Sequence, residues 1–139
     1  MLNLEQTFKP SYSYYLEKVI YQRIPDFPYT EETAIKINDE LNIAIKDKGV
    51  VTVLFSRSVY FSPDCMFNIK IVYGADLTFV CLADSEKYSI EEIKESLLEN
   101  NNPYLGGLIA RTSLLLAQIT ASYGQSPLVT PPSFLKNEK

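Results

Sequence analysis

The residue types that usually carry catalysis are sparse in this chain. It has no histidine, which removes the commonest general base, metal ligand and nucleophile partner. Its two cysteines, Cys65 and Cys81, form no C-x-x-C pair. They offer neither a zinc site nor a disulfide framework, and read as small apolar residues in or beside strands, in keeping with a reducing cytoplasm. Asp39 and Glu40 are adjacent carboxylates, but on a strand they point to opposite faces and cannot act as an acid/base pair. Asp39 falls on the apolar side of its segment, where it marks a bulge or a charge guarding an edge against unwanted pairing. Gly106-Gly107 matches no phosphate-cradling loop and reads as close helix packing. Tyr104 reads as core, and Arg111 as a paired structural charge. No catalytic residue, no metal and no cofactor is expected.

What remains is binding chemistry. The chain holds 10 Tyr and 7 Phe beside no Trp, and tyrosine's apolar body with a polar tip suits partly exposed contact surfaces. Tyr21, Phe27, Tyr29 and Tyr60 stand where full burial is not expected, the middle two in a proline-bounded loop. Together they form the candidate peptide-binding set, since large apolar patches mark binding surfaces. Burial between subunits accounts for them equally well. The net charge of −4 and pI of about 4.8 argue against nucleic acid or an anionic membrane as partner. No signal-peptide pattern stands at the N-terminus. The longest continuous apolar run, Leu114 to Ala117, is far below the ~20 residues of a membrane span.

The elements that must position these residues begin with Ala34–Lys46. Ile35, Ile37, Asp39, Leu41, Ile43 and Ile45 alternate with Ala34, Lys36, Asn38, Glu40, Asn42, Ala44 and Lys46, which gives one apolar and one polar face. A helix would gather Ile37, Leu41, Ala44 and Ile45. It would strand Ile35 and Ile43, and four β-branched isoleucines favour a pleated surface. Tyr14–Ile24 reads as a strand before it, ended by Pro25 and Pro28. Asp47-Lys48-Gly49 turns the chain into a third strand, Val50–Phe61, with Val51, Val53, Phe55, Val59 and Phe61 on one face. Ser62-Pro63-Asp64 leads to a fourth, Met66–Leu82, in which Gly74 suggests a bulge or bend. The period then changes. Ser89 and Glu92 form a capping box before Ile90, Ile93, Leu97 and Leu98, and Pro103 opens a longer helix to about Tyr123, ended by Gly124.

That last helix has one charge, Arg111, and apolar residues on more than one face, so it is expected to lie between the sheet and a second subunit. Leu105, Leu108, Ile109, Leu115 and Ile119 are the candidate oligomer interface. The sum is one domain over 1–139, with 1–13 and 135–139 loosely held. Its class is α+β, a four-stranded antiparallel sheet with two C-terminal helices on one face.

This order of pieces resembles the SecB family of export chaperones. The likeness rests on FNIKIVYGADLTFV (67–80) and on the block from Asn102-Pro103-Tyr104 through Leu108-Ile109 to Leu128-Val129-Thr130-Pro131-Pro132-Ser133-Phe134. The resemblance implies Pro103, Tyr104, Leu108, Pro131, Pro132 and Phe134 as structural signature positions, a dimer-of-dimers assembly, and apolar grooves that hold unfolded polypeptide clients without catalysis. Two departures stand out. The Pro103–Pro131 segment is long for the family, and LKNEK at the end lacks the Cys and His of a zinc-binding tail, so docking to the SecA motor is not expected. The functional expectation is a cytoplasmic, SecB-like holdase. The rival is a non-catalytic adaptor or structural oligomer with one folded partner.

Overall fold

Alternation between apolar and polar residues does become strand. The computed structural model describes residues 3–10, 13–25, 33–99, 103–122 and 126–135. The elements run α1 (Leu4–Thr7), β1 (Ser13–Ile24), β2 (Ala34–Asp47), β3 (Val50–Ser62), β4 (Met66–Thr78), α2 (Asp84–Lys87), α3 (Ile90–Leu98) and α4 (Pro103–Ser122). The four strands form one antiparallel sheet in the order β1-β4-β3-β2. Gly49 takes φ +80° in the β2–β3 turn, a left-handed conformation that a side chain would penalise. Ser89 and Glu92 close the capping box of α3. Pro103 opens α4, where its missing N–H costs nothing.

Register decides the faces. Val51, Val53, Phe55 and Val59 of β3, and Phe67, Ile69, Ile71 and Leu77 of β4, are buried on the side where α3 and α4 pack. Cross-strand partners share a face. The same side of β2 therefore carries Ile37, Asp39, Leu41 and Ile43, and that of β1 carries Tyr14, Leu16, Val19 and Tyr21. The core has two parts. One gathers Phe55, Leu77, Leu97, Leu108 and Ile109 with their neighbours, and the other Val59, Phe67, Ile69, Ile71 and Leu116.

Three expectations need correction. Residues 3–10 are not a loose lead-in. Leu4 and Phe8 are buried, the Phe8 ring packs at a tilt against Phe79, and the backbone of Thr7 and Lys9 pairs with Val80 and Thr78. Two apolar side chains in a polar segment suffice to anchor it. Gly74 is no bulge, for β4 pairs with β3 without a break there. The irregularity of this edge falls in β1, between Leu16 and Lys18. Gly74 instead makes room for the Tyr15 ring, which a Cβ would meet at 2.5 Å. β4 also ends at Thr78 rather than Leu82, and the chain passes into the short α2.

Candidate functional site

In a hairpin the positions that face each other have a constant sum, so Asp39 on β2 lies opposite Arg57 on β3. Both stand at apolar-face positions of their strands, and both side chains have 0% exposure. Arg57 grips Asp39 in a bidentate pair, Nε to Oδ1 and Nη2 to Oδ2, each 2.7 Å. Asp39 is thus neither a bulge marker nor an edge guard. Its role follows from a partner eighteen residues on, and Arg57 is the residue that sequence reading passed over. The signal was available: two opposite charges on apolar faces at matching hairpin positions.

The rest of the guanidinium turns to the C-terminal segment. Nη1 donates to Thr130 Oγ1 at 2.9 Å and to the Pro131 carbonyl at 2.8 Å, with Ser113 Oγ of α4 at 3.2 Å. Nη2 also donates to the Ser133 carbonyl at 3.1 Å. The Leu135 amide donates to Asp39 Oδ2 at 2.9 Å. Every N–H of Arg57 therefore has an acceptor, which a buried charge requires. Residues 126–135 become a strap across the helix side of the sheet. Its start is fixed by the Leu128 amide on Thr120 Oγ1 at 2.8 Å, and its end by Phe134 edge-on to Phe55. Leu135, expected to be loose, is held; residues 136–139 lie outside the described residues.

Beyond the ion pair the helix side opens. A groove of about 370 Å³ is lined by Ile35, Phe61, Met66 and Phe67 from the sheet and by Ser126 and Leu128 from the strap. Tyr21 stacks on Phe67 with ring centroids 5.9 Å apart and is 42% exposed. Ile35 of β2 and Val19 of β1 are exposed on the same side. Apart from Ser126 the groove's lining is apolar. Among the described residues no cluster of His, Cys, Asp and Glu could hold a metal.

The expected peptide-binding set is only partly assembled. Tyr21 is at the groove. Tyr60, 39% exposed, points to the opposite face of the sheet, since its neighbours Val59 and Phe61 face the helices. Phe27 and Tyr29 lie outside the described residues. Ile35, Phe61 and Phe67 were missed as a site because alternation marks them only as apolar-face residues, and Met66 because alternation puts it on the other face.

The expected oligomer interface needs a similar correction. Leu105, Leu108 and Ile109 are buried within the single chain, because the first turns of α4 lie directly on the sheet. Leu115 and Ile119 are half-buried against the second part of the core, and Leu114 is exposed. Gly107 does permit close packing: a Cβ there would collide with the Tyr14 hydroxyl. Arg111, read as a paired charge, lies over the Tyr14 ring at 4.1 Å.

The opposite face carries a polar cluster around Asp76. Asp76 accepts from Lys46 at 2.7 Å, Thr52 at 2.9 Å and Tyr15 at 3.4 Å. Partial burial pushes the Asp76 carboxyl up. Hydrogen bonds from Lys46 and Thr52, the Lys46 charge and the Tyr15 hydroxyl outweigh it and hold the group below its ordinary value. The Asp76 hydrogen bond and charge raise Lys46 in turn.

No family model matches the sequence, and no curated protein sequence matches it. Among solved structures the fold matches the Mycobacterium tuberculosis SecB-like chaperone Rv1957, solved in complex with a ChAD peptide from the Rv1956 HigA1 antitoxin. The two share 10% identity at a TM-score of 0.63, over 89% of this chain and 84% of that one. The fold is SecB-like. A protein of unknown function from Streptococcus agalactiae also matches at 10% identity, over 89% of this chain and 98% of that one, with a TM-score of 0.41 that carries no argument. Within the SecB-like fold the expected signature positions have physical work. Tyr104 and Leu108 are buried residues of α4, the Pro131 carbonyl binds Arg57, and Phe134 packs on Phe55.

Proposed function

We propose that this chain is a non-catalytic, chaperone-like binder of extended polypeptide. One observation carries the reading: an open apolar groove runs beside exposed Tyr21, with Ile35, Phe61, Met66 and Phe67 as its floor. Unfolded chains offer apolar side chains at alternating positions, and such a groove takes them without demanding one sequence. The peptide held by the SecB-like neighbour supports the same class of ligand. Net charge −4 fits neutral or basic client segments better than acidic ones. Self-association belongs to the proposal, with α4 offering Leu114, Leu115 and Ile119 to a second copy. The cytoplasm, where Cys65 and Cys81 stay reduced, is the proposed location.

The test is suppression of aggregation for several unrelated denatured proteins, with Tyr21→Ser and Phe61→Ser beside the wild type. The expected result is protection of all clients by the wild type and at least a fivefold loss in both variants. Saturable binding to one native protein, with no protection of unfolded ones, would make the chain an adaptor instead.

A further inference from the structure

We propose that the buried Arg57–Asp39 pair is a receptor for the main chain of a client polypeptide, and that residues 128–135 are its built-in occupant, displaced when a client segment binds. The inference rests on the polypeptide-binding reading above and gives it a regulatory element.

The contacts are of the right kind. Arg57 binds the carbonyls of Pro131 and Ser133, and Asp39 binds the amide of Leu135. These are alternate residues on either side of a bend in the chain at Pro132-Ser133, and all three contacts go to the main chain. A client segment that takes the same path offers the same carbonyls and amides. Thr130 adds the one side-chain contact, and Leu128 and Phe134 supply the apolar anchors. Pro131 and Pro132 restrict the strap's backbone and carry no N–H donors of their own. The strap thus presents the features of a bound peptide.

Its position makes the competition physical. Leu128 forms one wall of the groove whose floor is Ile35, Phe61, Met66 and Phe67. A client that fills this groove and continues along the sheet reaches the strap. Simple departure of the strap would leave buried Arg57 donors without acceptors, which is costly. Exchange for another main chain restores the same bonds. The ion pair therefore couples release of the strap to arrival of a replacement.

A disulfide can lock the strap. Ser113 Oγ on α4 and Thr130 Oγ1 on the strap are 3.0 Å apart, so Ser113→Cys with Thr130→Cys places two thiols within bonding reach. The full chain, with Cys81→Ser to remove the exposed thiol, is titrated against dye-labelled, reduced and carboxymethylated α-lactalbumin. The oxidised form is expected to bind at least tenfold more weakly than its own reduced form. Equal affinity in the two redox states overturns the inference and leaves the groove reading standing. Absence of binding in both states and in the wild type overturns the groove reading, and the inference with it.

A second measurement covers failure of the cysteine variant to fold. In the wild-type chain, saturating client is expected to speed hydrogen exchange of the Leu135 amide at least tenfold. Unchanged exchange with client bound overturns the inference.

Discussion

Toward the β2–β3 turn, Val51, Val53, Phe55 and Leu77 lie under Phe8, Leu97, Leu105 and Leu108, and the helix side is closed over the two central strands, while Ile45 and Leu16 on the outer strands stay exposed. At the other end of the same strands, the cover that the described residues give Val59, Phe67 and Ile69 is Leu116, half-buried residues of α4 and Leu128 of the strap. Ile35, Val19 and Tyr21 stay exposed beside them. The Arg57–Asp39 pair stands between the two ends, with Phe55 before it and Val59 after it on β3. One sheet with one alternating pattern has therefore been finished in two ways. The closed end is built for stability. The open end keeps apolar surface that folding alone did not require.

The sharpest way to break this division is to remove the charge at the boundary. Arg57→Met leaves Asp39 buried without its partner and frees the strap's carbonyls, and should cost about 3–5 kcal/mol in denaturant unfolding. Adding Asp39→Leu removes the orphan charge and should recover most of that loss, since a buried pair often gives way to apolar residues at little cost. A small effect of Arg57→Met alone would mean that the pair is wet and the two ends are continuous.

The next comparison sets one residue from each end. Leu97 in α3 is fully buried in the closed end, and Leu97→Ala should cost about 2–5 kcal/mol, the usual range for a deleted core side chain. Leu128→Ala removes one wall of the groove from a half-buried strap and should cost under about 1 kcal/mol. Client affinity should move the other way, unchanged in folded Leu97→Ala and at least threefold altered in Leu128→Ala. Equal stability costs would show that the open end is core after all.

Much of the frame was legible in the residues. The period of two in 34–46 and 50–61, the Gly49 turn and the Ser89–Glu92 box are local signals, and each specified its own element. The two-part core was not legible, because alternation tells which face is apolar and not what covers it. Coverage of the closed end comes from Phe8, α3 and the first turns of α4, contacts between residues distant in sequence. For the same reason Leu105, Leu108 and Ile109 looked like surplus apolar surface until the sheet under them was in place. The ion pair was half legible. Asp39 stood out on its apolar face, but only the hairpin register reveals that Arg57 faces it. The strap was legible only as a proline-rich block, since three of its contacts to the ion pair are made by main-chain atoms that any sequence carries.

The smallest expected effect belongs to the polar face and serves as a control on the division. The pKa of Asp76 is lowered in the fold, so the folded state binds its proton less readily than the unfolded chain. Its contribution is therefore present above the ordinary carboxylate value of about 4 and is lost as pH falls below it. Lys46, raised by the same pair, has the opposite sign: its contribution holds below the ordinary lysine value and fades at higher pH. Lys46 is exposed, so salt should weaken both effects. Acid unfolding of Asp76→Asn, followed by circular dichroism, should lack part of the wild-type loss of stability below pH 4. Client binding should not change, because Asp76, Lys46 and Thr52 share the face away from the groove. If Asp76→Asn alters client affinity at neutral pH, the polar face takes part in binding, and the contrast between the open and closed ends is not where specificity lies.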